Sequence, residues 1–311
     1  MALDASVLQQ AAQTIQAGSK SFATAARLFD ETTRQSAVLL YAWCRHCDDL
    51  IDGQQLGHGQ QQGDRSDSLA RLAALEHATR QACAGEPTDD PVFAGLGEVV
   101  RRHDIAERYL LEHLAGFRMD VEARDYARLD DTLAYCWRVA GVVGVMMSMV
   151  MGNRHPATLD RACDLGMAFQ LTNIARDVVE DAAIGRIYLP ASWLADEGLL
   201  SQGDVLDPAH RPALGRVAAR LVDAADPYYR SAVAGIGDLP LRSAWSIATA
   251  RGVYRDIGRQ VKAHGAHAWD TRISTTRMDK LWFLVRGAAV AVAAHGITPQ
   301  PRARHLWQRP V

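Results

Sequence analysis

A chain of 311 residues, 48% hydrophobic and 23% charged, is long enough to bury a large core and too apolar for intrinsic disorder. Its net charge of −2 gives neither nucleic acid nor an acidic membrane surface an overall basic field to act on, so local charge must carry any such argument. Five cysteines, an odd number, follow an opening MALDASVLQQ with an early Asp and no apolar h-region, which predicts reduced thiols in a cytoplasmic protein rather than a disulfide framework.

Apolar residues recur at steps of three and four along most of the chain, with no alternating runs to make strands, so the predicted fold class is all-α. Helices are expected at about 4–17, 20–29, 32–52, 67–83, 91–103, 106–120, 130–151, 157–182, 208–234, 239–263 and 276–295. The connections GEPTDDP, NRHP and DEGLLSQGDVLDP are too short and too poor in Gly and Ser to be free linkers, which makes residues 1–311 a single domain. The polar, Gly-rich stretch 53–68 reads as a mobile loop, and residues 297–311, ending PQPRARHLWQRPV, as an irregular tail. The longest apolar run, Val139 to Gly152, falls short of the roughly 20 residues that cross a bilayer and reads as a buried helix. Peripheral association with a membrane is left open, as is the oligomeric state.

The first chemical signal is YAWCRHCDDLIDG at 41–53. Tyr41, Arg45, Asp48 and Asp52 follow steps of four, three and four, so they share one stripe of a helix, while Asp49 points aside. The geometry recurs in FQLTNIARDVVED at 169–181, where Gln170, Asn173, Asp177 and Asp181 align and Glu180 faces elsewhere. A solvated helix face is the ordinary explanation of one such stripe, but two, each in an otherwise apolar helix, carry fewer Lys and Glu than solvated faces do. Carboxylates one turn apart repel when ionised, and a hard divalent cation removes that penalty; Mg²⁺ (or Mn²⁺) suits, since it takes carboxylate oxygens and shares phosphate oxygens with a substrate. A diphosphate fits between two such walls, with Arg45, Arg176 and Arg186 close by for bidentate contact or for surface ion pairs. Cys44 and Cys47 form a lone C-x-x-C without a second ligand pair, which favours two small buried residues over zinc.

Between the acidic stretches, YCWRVAGVVGVMM at 135–147 contains Gly141 and Gly144, each costing about 1 kcal/mol relative to Ala in a helix. Either they leave room for a hydrocarbon between helices or they let two helices pack closely. Tyr135 and Phe22 are aromatic rings that could face a cation, or plain core.

These stretches, together with GSKSFATA at 18–25, QLTNIARDVVEDAAIGRIYLP at 170–190, PLRSAWSIATARGVYRDIG at 240–258 and STTRMDKL at 274–281, resemble the squalene and phytoene synthase family of head-to-head trans-prenyltransferases over almost the whole chain. The resemblance implies an all-helical isoprenoid synthase fold around a central cavity with the acidic motifs on opposing walls. It implies Asp48, Asp52, Asp177 and Asp181 as Mg²⁺ ligands, with Asn173 and Gln170 beside the second metal site. Ser19, Ser21, Phe22, Tyr41 and Arg45 would surround the first diphosphate, and Arg176, Arg186, Tyr188, Tyr254 and Arg272 would form an outer diphosphate-binding set. Tyr135, Val139, Ala140 and Gly144 would line the prenyl channel. One departure is Trp137, where the family commonly has a smaller aromatic. The implied reaction joins two geranylgeranyl diphosphates through prephytoene diphosphate to phytoene, releasing two diphosphates, with no NADPH. The alternative is a farnesyl-using synthase making dehydrosqualene or squalene. An inactive helical binding protein would predict eroded acidic motifs, and both are intact.

Overall fold

The computed structural model describes residues 24–52, 65–296 and 300–310, with positions 7, 8, 11, 13 and 15 of the N-terminal segment. Among them there is no strand. The helices are α1 Glu31–Asp52, α2 Arg65–Ala84, α3 Pro91–His103, α4 Glu107–Val121, α5 Leu129–Cys136, α6 Val142–Val150, α7 Pro156–Ala183, α8 Ala191–Asp196, α9 Gln202–Leu206, α10 Arg211–Ile236, α11 Leu241–His264 and α12 Arg277–Ala294. Local chemistry sets several starts. Asp90 accepts from the Val92 amide at 2.8 Å with Pro91 in the first turn of α3, and Thr276 and Asp279 cap α12 reciprocally. The stretch 196–208, expected to be loop, contains the one-turn helix α9, which Ser201 and Asp204 cap in the same way.

Helix α7 is the axis of the molecule, packed between α10, α6 and α11. The predicted helix 130–151 is continuous but widens into a π turn at Trp137–Gly141. The glycines explain why it must pass so close to α7: a Cβ on Gly141 would crowd Met167 and Cys163, and one on Gly144 would stand 2.3 Å from the Ala162 carbonyl oxygen. Gly166 answers from the other side, with the Ala140 carbonyl 2.2 Å from where its Cβ would be. Close helix packing is therefore what these glycines serve. The 22 residues Leu129–Val150 are long and apolar enough to span a bilayer by length and composition, yet 67% of the most apolar window is buried inside the protein, as the buried-helix expectation requires.

The tail is irregular in its described part, 300–310, as expected, but it is tied to the helices. Arg302 makes a bidentate pair with Asp164, 2.9 Å from Nε to Oδ2 and 2.6 Å from Nη2 to Oδ1, and Asp164 is completely buried. Leu306 is buried, the Trp307 amide donates to the Tyr228 hydroxyl at 3.1 Å, and Arg309 pairs with Asp160. The segment is irregular and pinned. Of the Gly-rich stretch 53–68 expected to be a mobile loop, 53–64 lies outside the described residues, and 65–68 is instead the first turn of α2.

Candidate active site

Two adjoining cavities open between the helices, sharing eight wall residues, Tyr41, Cys44, Arg45, His113, Val139, Gln170, Asn173 and Arg176. One is an acidic chamber of about 450 Å³ that also receives Asp48 from α1, Asp120 from α4, Tyr135 from α5, and Asp177 and Asp181 from α7. The other, about 500 Å³, is mainly apolar; Val143, Gly144, Met147, Met151, Leu165, Phe169, Ile236, Leu239 and Ile247 are among its walls. The two acidic helix stripes thus face one hollow, as the sequence predicts for Asp48, Asp177 and Asp181. Asp52 ends α1; its side chain, with Ser19, Ser21 and Phe22, lies outside the described residues.

The charges inside are already partly balanced by protein. Arg45 bridges Asp48 at 2.9 Å and Asp49 at 2.6 Å; Asp49, expected to point aside, lines neither cavity and reaches the site through this guanidinium. Arg176 grips Asp177 through Nε at 2.8 Å and Nη2 at 2.5 Å, and Arg272 reaches Asp177 at 3.2 Å and Glu180 at 3.2 Å. Asp181 is different. Burial, and then the neighbouring Asp177 charge, push its carboxyl up to about 8 against the pull of Arg186. Asn173 donates to Gln170 at 3.4 Å, while its Oδ1 is buried without a partner.

Aligned carboxylates, one held protonated by its surroundings, and an orphaned amide oxygen form an all-oxygen donor set of the kind a hard divalent cation takes. Asp48, Asp177, Asp181 and Asn173 fit that role by chemistry. Among the described residues, though, no three His, Cys, Asp or Glu side chains stand close enough together to form a ready-made metal cage; Asp48 faces the chamber from α1, and Asn173, Asp177 and Asp181 face it from α7.

Several expected roles change compartment. Tyr135, expected on the prenyl channel, lines the acidic chamber: its ring stacks on Tyr188 with centroids 4.5 Å apart, and both hydroxyls donate to Asp120, at 3.2 and 2.8 Å. A hydroxyl bound to a carboxylate draws the ring to the polar side. Burial and then Asp120 raise both phenols well above their ordinary range, so they remain neutral donors. Arg186 and Tyr188 of the outer set face the acidic chamber, whereas Tyr254 and Arg272 border the apolar cavity, Tyr254 stacking on Phe169 at 4.3 Å. Val139, Ala140 and Gly144 do line the apolar cavity.

Sequence reasoning missed α4. His113, Phe117 and Asp120 stand at steps of four and three and reach the chamber together, the same periodic signal as in the other two walls, but with a single acid. His113 accepts no counter-ion role: burial lowers it to about 4, and Nδ1 lies 3.2 Å from the Arg138 carbonyl. Thr158 and Arg161, near the N-terminal end of α7, also line the apolar cavity. Arg161 donates to the Ser231 hydroxyl at 2.7 Å and to the Gln300 carbonyl, which holds it in that wall.

An acid-walled chamber leading into a deep apolar cavity within an all-helical bundle defines a protein that handles an apolar chain with an anionic head. The squalene/phytoene synthase family profile matches residues 15–279, and the chain belongs to that family. It is 55% identical over 306 residues to a 15-cis-phytoene synthase of Pantoea ananas, covering 98% of this chain and 99% of that one. It is 48% identical over 302 residues to a 15-cis-phytoene synthase of Paracoccus sp., covering 96% of each. A crystal structure of a dehydrosqualene synthase in complex with ligand superposes with a TM-score of 0.82 at 26% identity, over 93% of this chain and 97% of that one.

Proposed function

We propose that this prenyltransferase joins two geranylgeranyl diphosphates head to head and makes phytoene, the step that opens carotenoid biosynthesis. The observation that carries the reading is the seam of eight residues between acidic chamber and apolar cavity. A diphosphate in the chamber places its first carbons at Tyr41 and Val139, with the hydrocarbon running down α7. Arg161 would form the floor; from Arg176 to it is fifteen residues, about 22 Å of helix. An extended prenyl chain takes roughly 5 Å per isoprene unit at carbon bond lengths near 1.5 Å, so four units fill the depth and three leave the floor empty.

The residues divide the work. Arg45, Arg176, Arg186 and Arg272 offer guanidinium donors to diphosphate oxygens, with the Tyr188 hydroxyl nearby. Asp48, Asp52, Asn173, Asp177 and Asp181 would hold Mg²⁺ or Mn²⁺, which when bound adds positive charge where the leaving diphosphate gathers negative charge. The walls Val139, Ala140, Val143 and Phe169 exclude water that would capture the allylic cation. No side chain acts as nucleophile, and NADPH is not required. The five unpaired cysteines accord with a reducing, cytoplasmic setting, and release of so apolar a product suits contact with the inner face of a membrane.

The test is purified protein with geranylgeranyl or farnesyl diphosphate and Mg²⁺, with and without NADPH, and analysis of the lipid extract. Phytoene from the longer substrate is expected. Hydrocarbon from farnesyl diphosphate alone would move the assignment to dehydrosqualene or squalene formation, the reading that the likeness to the dehydrosqualene synthase favours. No hydrocarbon from either would refute both.

A further inference from the structure

Helix α12 is apolar on two opposite sides. Phe283, Gly287, Ala291 and Ala294 are buried; Gly287 comes so close to α11 that a Cβ there would stand 2.3 Å from Thr249 Oγ1. The outward side is not the charged face that a surface helix ordinarily shows. Met278, Leu281, Trp282, Val285 and Val292 are 72, 55, 61, 62 and 65% exposed, half of the ten large apolar side chains exposed among the described residues. At 100° per residue they fall, with exposed Ala289, inside an arc of about 100° that extends about 21 Å along the helix. Scattered exposed apolar residues are ordinary, but a contiguous patch of this kind is a contact surface.

Charge flanks the stripe on both sides. Arg277 and Arg286 border it on the helix wheel, with Asp279 occupied in the N-terminal cap. Beyond Arg286, the cleft between α11 and α12 is lined by Arg251, Arg255 and Arg259 together with Asp256. Arg255 is bonded to Asp226 at 2.5 and 2.9 Å, and Arg251 donates to the Tyr229 carbonyl at 2.8 Å. Arg259 and Arg286 form no ion pair among the described residues. Four guanidiniums thus face two carboxylates, Asp226 and Asp256, beside a ridge centred on a tryptophan.

We infer that the outer face of α12 and its arginine cleft dock the protein onto an anionic lipid bilayer, the apolar stripe entering the acyl boundary and the arginines binding headgroup phosphates. A helix with Trp, Leu and Val on one side and arginines along its flanks has the composition of an interfacial helix, and the cleft supplies the fork geometry that phosphate takes. Position supports the assignment. The inner side of α11, at Ser246, Ile247, Ala250 and Tyr254, lines the apolar cavity, so the docking face lies one helix away from the hydrocarbon-binding space. The inference deepens the membrane contact suggested with the proposed function, but it concerns binding and stands or falls without turnover.

The test is flotation of the full chain with vesicles of phosphatidylcholine alone or mixed with phosphatidylglycerol, at low and high salt. Binding is expected to the mixed vesicles and to weaken with salt. Trp282→Glu/Val285→Glu should lower partitioning by at least about tenfold, and Arg259→Gln/Arg286→Gln by about fivefold per arginine with a shallower salt dependence. All these positions are exposed, so unchanged circular dichroism and unchanged turnover of detergent-dispersed substrate will show that the variants fold. Wild-type protein that stays with the aqueous phase, or variants that float as well as wild type, would overturn the inference. So would loss in Trp282→Glu/Val285→Glu of a dimer detected in the wild type by light scattering, which would assign the face to a second copy.

Discussion

Replacing Arg302 by Met probes the pinned tail most directly. The substitution keeps the aliphatic stem and removes the guanidinium that makes two bonds to Asp164, a carboxylate with no exposure, and one to the Trp307 carbonyl at 2.5 Å. Breaking a buried pair by removing one partner costs about 3–5 kcal/mol, because the other charge is left in low dielectric. Asp164 keeps one donor, the Ser231 hydroxyl, which places the expectation near the lower bound, at about 3 kcal/mol. Loosening of the segment would also expose Leu306, worth a further ~2 kcal/mol. The assay is urea unfolding with wild type, Arg302→Met, Asp164→Asn and the double variant, read as midpoints at a constant slope. The double variant should recover at least about 2 kcal/mol relative to the sum of the single losses, since neither charge is then stranded. A single loss below about 1 kcal/mol, or strict additivity, would refute the argument that a buried ion pair clasps the tail.

The two cavities give four further expectations. Asp48→Asn and Asp177→Asn each remove a proposed cation ligand at nearly constant volume and should lower kcat by about 10²–10³ with helicity unchanged; wild-type turnover in either would count heavily against the site. If the proposed cation site uses the Asp181 carboxylate, whose proton is held up to about 8, Mg²⁺ affinity measured by calorimetry should rise about tenfold per pH unit below that value and level off above it. The same shift has the opposite sign for the metal-free fold: the folded state keeps a proton that the unfolded chain gives up near pH 4, so metal-free stability should decline between about pH 4 and about pH 8. A flat affinity profile would sink the role given to Asp181. Arg161→Ala should deepen the cavity floor and raise kcat/KM for a five-isoprene diphosphate relative to the four-isoprene substrate by about tenfold; an unchanged ratio in a competition assay would show that the floor lies elsewhere.

What was legible in the sequence is what depends on neighbours within two turns. The stripes Tyr41, Arg45, Asp48 and Gln170, Asn173, Asp177, Asp181 reach the cavity because helical periodicity alone decides which side they share. Asp120 escaped notice because its meaning comes from Tyr135 and Tyr188, 15 and 68 residues away. Tyr135 was assigned to the apolar side for the same reason: its hydroxyl's partner is not in its own helix. Gly144 carried two explanations of equal merit, and both hold: it packs against the Ala162 carbonyl across the helix pair and borders the apolar cavity. The tail's composition signalled irregularity correctly, but not order, since the group that anchors it, Asp164, reads in sequence as one more residue of α7 and lies 138 positions earlier.

The backbone crossing at Gly144 and Gly166 also sets the tolerance of this wall. Where a methyl group would meet carbonyl oxygen on either side, a larger residue at either position could be seated only by pushing α6 and α7 apart. Both glycines border the apolar cavity, so along this stretch the width of the hydrocarbon space is gauged by main chain against main chain rather than by the size of any side chain.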